Sequence, residues 1–327
     1  MNITINKIKH ATLLLLIIFI SFQTGCVNLK NKYQSSRLLS NLYTANESTF
    51  AEGVAKRIVV PDISNELTVD NIGADCYFIA STDRLSTSFN KHHNSFRRVP
   101  MASLTKLMTA LIVLKNCDDL QKEYYVTTDA VDLDKDVSKA NLKAGDKVKV
   151  IDLLYGLLIP SGNDAAICLA ENLVDNYDNF IVMMNNEAER LGALNTHFAN
   201  PHGLDSEYHF SSAYDLFLIT KELSKYKEFG EITKLKTYTA NIVESNGTIR
   251  TEKWVNTNYF ITEELLISGN VDMLAGKTGN TKSAGNCLIL LTKDKKTGLQ
   301  YISVVLNAKS KRNSYYNSNA LLSAIVR

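Results

Sequence analysis

Pro100-Met-Ala-Ser-Leu-Thr-Lys-Leu-Met-Thr-Ala-Leu-Ile-Val-Leu114 is the stretch on which the reading of this chain turns. It is apolar nearly all round, which predicts a helix buried on every side, and proline just ahead suits a helix start. Ser103 and Lys106, three residues apart, share one face of that helix. A serine hydroxyl attacks well only if a neighbour takes its proton. A lysine amine can do so only when neutral. Met101, Leu104, Leu107 and Met108 provide apolar surroundings that disfavour the charged form, and a second cation nearby does the same. Backbone N–H groups at the helix start also suit a developing oxyanion. A Ser-x-x-Lys string arises about once by chance in a chain of this length, and two others exist, Ser88-Phe-Asn-Lys91 and Ser224-Lys-Tyr-Lys227. Only the 103–106 copy opens a buried helix.

Two further strings lie downstream. Ser161-Gly-Asn163 follows Pro160 and joins two predicted helices, 151–159 and 164–173, the second with Asp164 as a cap. A loop pinned by packed helices holds side chains rigidly. Ser161 can pass a proton between the lysine and a leaving amine, and Asn163 can orient Lys106 and bond a substrate amide. Ser, Gly and Asn are also turn formers, and the second copy, Ser268-Gly-Asn270, is read as a turn only. Lys277-Thr-Gly279 ends a predicted strand. An edge strand pairs with an extended peptide. Lys277 and Thr278 can hold a carboxylate by charge and hydroxyl, and Gly279 lets a substrate approach. The copy at Lys296-Thr-Gly298 falls at a hairpin tip.

The remaining pattern suggests strands at both ends with helices between. Predicted strands cover 74–80, a short polar stretch before Arg98, 235–243, 271–277, 286–293 and 299–307; further helices cover 179–191, 213–223 and 315–326. Residues 142–150 read as charged and extended, and 199–209 as a loop. The expectation is an α/β chain of α+β type, with one antiparallel sheet built from both termini and a helical block inserted.

The first 26 residues read as a targeting segment: Lys7 and Lys9, an apolar run from Leu13 to Ile20, then Thr24-Gly25-Cys26. The run is shorter than the roughly 20 residues of a membrane span. Gly25-Cys26 resembles a bacterial lipoprotein cleavage site, although Gln23 stands where an apolar residue is usual. Lipidation, plain cleavage and an uncleaved anchor all remain open. Residues 27–70 read as a polar tether and 71–327 as one catalytic domain. The net charge is +2 and becomes zero without Lys7 and Lys9, so charge gives no reason to expect nucleic acid. Cys76, Cys168 and Cys287 sit among apolar neighbours and read as buried thiols. His197, His202 and His209 lack metal-ligand spacing, and His92 and His93 read as polar turn residues. No metal and no cofactor is expected.

The three strings, in this order, resemble the low-molecular-weight penicillin-binding proteins of D-alanyl-D-alanine carboxypeptidase type, peptidase family S11. Ala102-Ser-Leu-Thr-Lys-Leu-Met-Thr-Ala110, the block from Leu153 to Ala166, Asn200-Pro-His-Gly-Leu-Asp205 with Ser212-Ala-Tyr-Asp215, and Gly276-Lys-Thr-Gly-Asn-Thr281 all carry the likeness. It implies the β-lactamase/transpeptidase-like fold, an antiparallel sheet flanked by helices with an all-helical subdomain. It implies a peptidoglycan stem peptide ending in D-Ala-D-Ala as substrate. Ser103 would be the nucleophile, Lys106 its base, and Ser161 and Asn163 their partners. Lys277, Thr278, Gly279 and Asn280 would bind substrate, with the N–H groups of Ser103 and Asn280 as oxyanion hole. β-Lactams would acylate Ser103, and the site would work outside the cytoplasm. The chain departs from the family at Ala80-Ser-Thr-Asp-Arg84 and lacks the usual β-rich C-terminal domain, so anchoring is expected from the N-terminus. A class A β-lactamase would need glutamate where Leu191 precedes Leu194-Asn195. A membrane-tethered β-lactam sensor would need a signalling domain ahead of the anchor. A transpeptidase or endopeptidase would share the same acyl-enzyme.

Overall fold

The computed structural model describes residues 72–82, 91–174 and 176–325. The expectations for the targeting segment, Cys26, the tether and Ser88 lie outside them. Among the described residues no helix is long and apolar enough to cross a membrane.

Five strands form the main sheet: β1 (Ala74–Ser81), β2 (Lys91–His93), β7 (Val271–Thr281), β8 (Gly285–Asp294) and β9 (Gln300–Ala308). Their order is β2-β1-β9-β8-β7, with every neighbouring pair antiparallel. Successive side chains of a strand point to opposite faces, and here both faces are covered. Cys76, Phe78 and Ala80 of β1, with Ile302, Val304 and Leu306 of β9, belong to the larger core. Tyr77, Ile79, Leu288, Leu290 and Val305 meet Tyr315, Leu321 and Leu322 of the last helix, α8 (Lys311–Ile325). Burial on both faces explains why these strands read as continuous apolar runs. His92 and His93, expected in a turn, pair with β1 as strand β2, and His92 is buried opposite Phe78.

Between β2 and β7 lie α1 (Lys106–Asn116), α2 (Thr128–Val131), α3 (Val150–Leu158), α4 (Asn163–Leu173), α5 (Tyr177–Leu191), α6 (Ala213–Leu223) and α7 (Lys227–Thr233). The insert also carries a second, four-stranded sheet in the order β3-β4-β5-β6, which corrects the expectation of a single sheet. It consists of β3 (Glu123–Tyr125), β4 (Lys147–Lys149), β5 (Thr237–Val243) and β6 (Ile249–Val255). The predicted strand at 235–243 belongs here. β6 escaped the sequence reading because only Trp254 in it is buried. Two other strands of this sheet, β3 and β4, have three residues each, too short to show alternation.

Asp164 departs from its predicted role. Gly162 is the N-cap of α4 and no side chain caps it. Asp164, one residue inside the helix and 1% exposed, accepts from the N–H groups of Ala140 (2.7 Å), Leu142 (3.1 Å) and Ala165 (2.9 Å). Burial raises its pKa, and those donors work against the rise. It thereby ties the 138–142 segment to α4, while Trp254 Nε1 donates to Ala140 O from β6 at 2.9 Å. Ser138 O in turn accepts the Asn163 N–H at 2.9 Å. Replacing Asp164 with Ala leaves these three buried N–H groups without that acceptor. The variant is expected to lose about 3 kcal/mol or more, read as a lower urea midpoint at unchanged slope. A midpoint equal to wild type would contradict this role.

Candidate active site

The nucleophile string does not begin as α-helix. Ala102–Thr105 form a 3₁₀ turn and the α-helix starts at Lys106. Ala102 sits in the left-handed region, φ +50°, a conformation that costs a non-glycine residue about 1–2 kcal/mol. The turn is held from outside. Thr105 Oγ1 donates to Ala102 O at 2.8 Å, and Gly203 packs so closely that a Cβ there would lie 2.1 Å from the same oxygen. Only glycine tolerates that approach, and its own φ is +96°.

Lys106 is fully buried. Its Nζ lies 3.0 Å from Ser103 Oγ, 2.6 Å from Asn163 Oδ1 and 2.6 Å from His202 O. Burial, then the charge of Lys277, push its pKa well below the ordinary lysine value, against a smaller pull from Asp164. Amide and peptide oxygens only accept. A neutral amine therefore spends its two N–H bonds on Asn163 and His202, and its lone pair is left facing the Ser103 hydroxyl. With the charged form disfavoured, the three contacts fit an uncharged base aimed at a serine proton.

Ser161 also holds a left-handed conformation, φ +66°, and its Oγ accepts from Lys277 Nζ at 2.8 Å. The same ammonium donates to Thr278 O at 2.8 Å. Lys277 is 1% exposed, and burial, then the charge of Lys311, lower its pKa to about 7. This differs from the expectation of a cation walling the cleft: the Lys277 head group faces Ser161. Thr278 Oγ1 lies 2.6 Å from Thr257 Oγ1, so two hydroxyls meet where one was expected. Gly279 also makes room for the nucleophile turn: a Cβ on it would meet Met101 O at 3.1 Å and Ser103 N at 3.2 Å. Asn280 follows it, exposed, its side-chain amide donating to Gly285 O and Asn286 Oδ1.

Ser103, Ser161, Asn163, Thr278, Gly279 and Asn280 all line one cleft of about 590 Å³, with Lys106 and Lys277 buried behind it. The sequence reading missed Thr257, Lys311, the 136–138 wall and the carbonyl of His202. Thr257 and Lys311 carry no local pattern, and a backbone oxygen has no signature, although the block from Asn200 to Asp205 marked its neighbourhood. Lys311 is exposed, lines the cleft, and holds its Nζ 3.7 Å from the Tyr259 ring centroid. His202 and His209 are buried, and burial first of all lowers their pKa values to about 3 and about 4. Among the described residues no trio of His, Cys, Asp or Glu converges as a metal site.

A family model described as D-alanyl-D-alanine carboxypeptidase, peptidase S11, matches residues 66–310. The chain is 35% identical to D-alanyl-D-alanine carboxypeptidase DacF of Bacillus subtilis over 68% of its own length and 54% of the relative's. It is 34% identical to DacC of Escherichia coli over 79% and 62%. It thus spans between half and two thirds of the length of these curated relatives. The Streptomyces K15 DD-transpeptidase superposes with a TM-score of 0.70 at 30% identity, covering 79% of this chain and 98% of that one. Penicillin-binding protein D2 of Listeria monocytogenes, solved with ampicillin bound, gives 0.63 at 26% identity, covering 79% and 99%.

The two buried lysines allow a test. The Lys277 ammonium disfavours a second ammonium at Lys106, so the Lys277→Gln variant favours protonation there. The Lys106 pKa, followed by lysine-selective NMR, is expected to rise in that variant. An unchanged or lower value would show that the two amines do not sense each other.

Proposed function

The chain belongs to the D-alanyl-D-alanine carboxypeptidase family, peptidase family S11, and we propose that it removes the terminal D-alanine from peptidoglycan stem peptides through an acyl-enzyme on Ser103. The observation that carries this reading is the Lys106 amine, held by two obligatory acceptors with Ser103 Oγ 3.0 Å away.

In this reading Lys106 takes the Ser103 proton as Oγ attacks the carbonyl of the penultimate D-alanine. The oxyanion forms at the Ser103 and Asn280 N–H groups. Lys277 donates to Ser161 Oγ, which leaves the hydroxyl's own hydrogen free to reach the leaving amine, while Ser161 Oγ takes over the proton that Lys106 removed from Ser103, so Lys106 returns to its neutral form. The terminal carboxylate takes the Thr278 and Thr257 hydroxyls and the exposed Lys311 ammonium, with buried Lys277 supplying field from behind. Water then attacks the ester, and Lys106 serves again as base. β-Lactams fit the same cleft as acylating mimics. The catalytic unit is residues 71–327, and it acts outside the cytoplasm after export by the N-terminal segment, with attachment at the membrane's outer face by that segment or by a lipid on Cys26.

Rapid β-lactam turnover is disfavoured. Leu191 stands where the deacylating glutamate of a class A β-lactamase would be, and it packs against the core from the end of α5. The carboxylates lining the cleft are those of Asp136 and Asp205, and Asp205 already accepts from Thr281 Oγ1 and Ser283 N. The likeness to a protein named a DD-transpeptidase makes transfer to an amine acceptor the second reading.

Mass spectrometry after penicillin treatment is expected to map one adduct to the peptide containing Ser103. D-Alanine release from a D-Ala-D-Ala peptide is expected, and its loss in Ser103→Ala. Full activity in that variant would overturn the assignment. Lys311→Ala is expected to lower kcat/KM about tenfold or more, the cost of one charge-assisted contact. An unchanged kcat/KM would remove Lys311 from the carboxylate site.

A further inference from the structure

Behind the nucleophile turn lies a chain of hydrogen bonds that the reaction above does not use. Thr105 Oγ1 lies 2.8 Å from Ala102 O and 2.7 Å from His209 Nε2. His209 Nδ1 lies 3.0 Å from Ala199 N. Thr105 and His209 are 0% and 2% exposed, and Phe198 packs edge-on against the imidazole at 5.9 Å.

Every proton in this chain has one possible place. Ala102 O is a carbonyl, so Thr105 must donate to it. A hydroxyl has a single hydrogen, so Thr105 can only accept from His209, and Nε2 carries the proton. Ala199 N–H donates, so Nδ1 is bare. The direction runs from Ala199 N–H to His209, from His209 to Thr105, and from Thr105 to Ala102 O. Its end point is the peptide joining Ala102 to Ser103. Across a trans peptide the C=O and N–H point in opposite directions. Drawing Ala102 O inward toward Thr105 turns the Ser103 N–H outward, toward the cleft side where Gly279 packs. Among the described residues no acceptor takes that N–H. The left-handed Ala102 is the strain this arrangement sustains.

We propose that Thr105 and His209 are positioning residues that hold the Ser103 N–H in its oxyanion-binding direction, His209 acting through Thr105 as a fixed Nε2–H donor. The inference rests on the acyl-enzyme reading above. The chain tolerates no second proton on His209, because Nδ1–H would face Ala199 N–H. Burial, first of all, lowers the His209 pKa to about 4, so the imidazole is neutral at neutral pH. The chain is therefore intact at neutral pH.

The test uses the full chain and a penicillin as probe. Thr105→Val and His209→Leu break the chain, while Thr105→Ser and His209→Gln keep a hydroxyl and a donor. The first pair is expected to lower the acylation rate constant about tenfold or more, with much less change in the noncovalent dissociation constant that precedes it. The ester carbonyl band of the acyl-enzyme, read by infrared spectroscopy, is expected to move to higher wavenumber as its hydrogen bond weakens. The second pair is expected to restore both readouts. Wild-type rates and an unmoved band in folded Val and Leu variants would overturn the proposal, as would a defect that Ser and Gln do not repair. Should the breaking variants fail to fold, the ¹⁵N NMR signature of His209 in the unmutated chain decides. An Nε2–H tautomer supports the proposal, and an Nδ1–H tautomer or an imidazolium at neutral pH overturns it. An unmutated chain that takes no acyl group at Ser103 would defeat the proposed activity while leaving the tautomer measurement standing.

Discussion

The site depends on keeping one amine dry. Lys106 is enclosed, and enclosure disfavours its charged form. The pull toward a proton comes from Asp164, which already serves three backbone donors, and it is outweighed by burial and by the repulsion of a second lysine. The two oxygens that hold Nζ come from distant parts of the chain, Asn163 at the start of α4 and His202 in the 199–205 loop. The base is therefore assembled only when the loop docks on the active-site helix. Thr109 strengthens that docking by donating to Pro201 O at 2.6 Å.

The rest of the fold can be understood as support for this arrangement. A sheet buried on both faces places its edge strand β7 against the nucleophile turn, where Gly279 allows contact at backbone distance. The second sheet reaches the site indirectly, through Trp254 and Ala140 O to the segment that bonds Asn163. Two left-handed non-glycine residues, Ala102 and Ser161, lie next to or at reacting positions. Such conformations persist only when their surroundings over-determine them, and each here is held by a named hydrogen bond.

Much of this was legible in the sequence, for physical reasons. Helix α6 runs over the predicted residues, 213–223, because its apolar spacing and its Ser212 cap are both local signals. The β8–β9 hairpin was visible through two apolar runs around a polar turn. Residues of all three strings line one cleft, whereas the copy at Ser224 only closes a helix, its Oγ bonding Lys221 O at 2.7 Å. What stayed hidden was set by tertiary placement. β6 is half-exposed and reads as a charged linker. Lys311 lines the same cleft as Thr257 and Thr278 only because α8 covers the sheet. Lys277 reads as a carboxylate-holding cation from its position in Lys-Thr-Gly, and only the structure shows its head group bonded to Ser161.

Neutron diffraction from crystals held at mildly alkaline pH would test the central claim most directly. The account predicts two hydrogens on Lys106 Nζ, directed at Asn163 Oδ1 and His202 O, and a Ser103 hydroxyl hydrogen directed at Nζ. Three hydrogens on Nζ, with the Ser103 hydrogen pointing elsewhere, would contradict it.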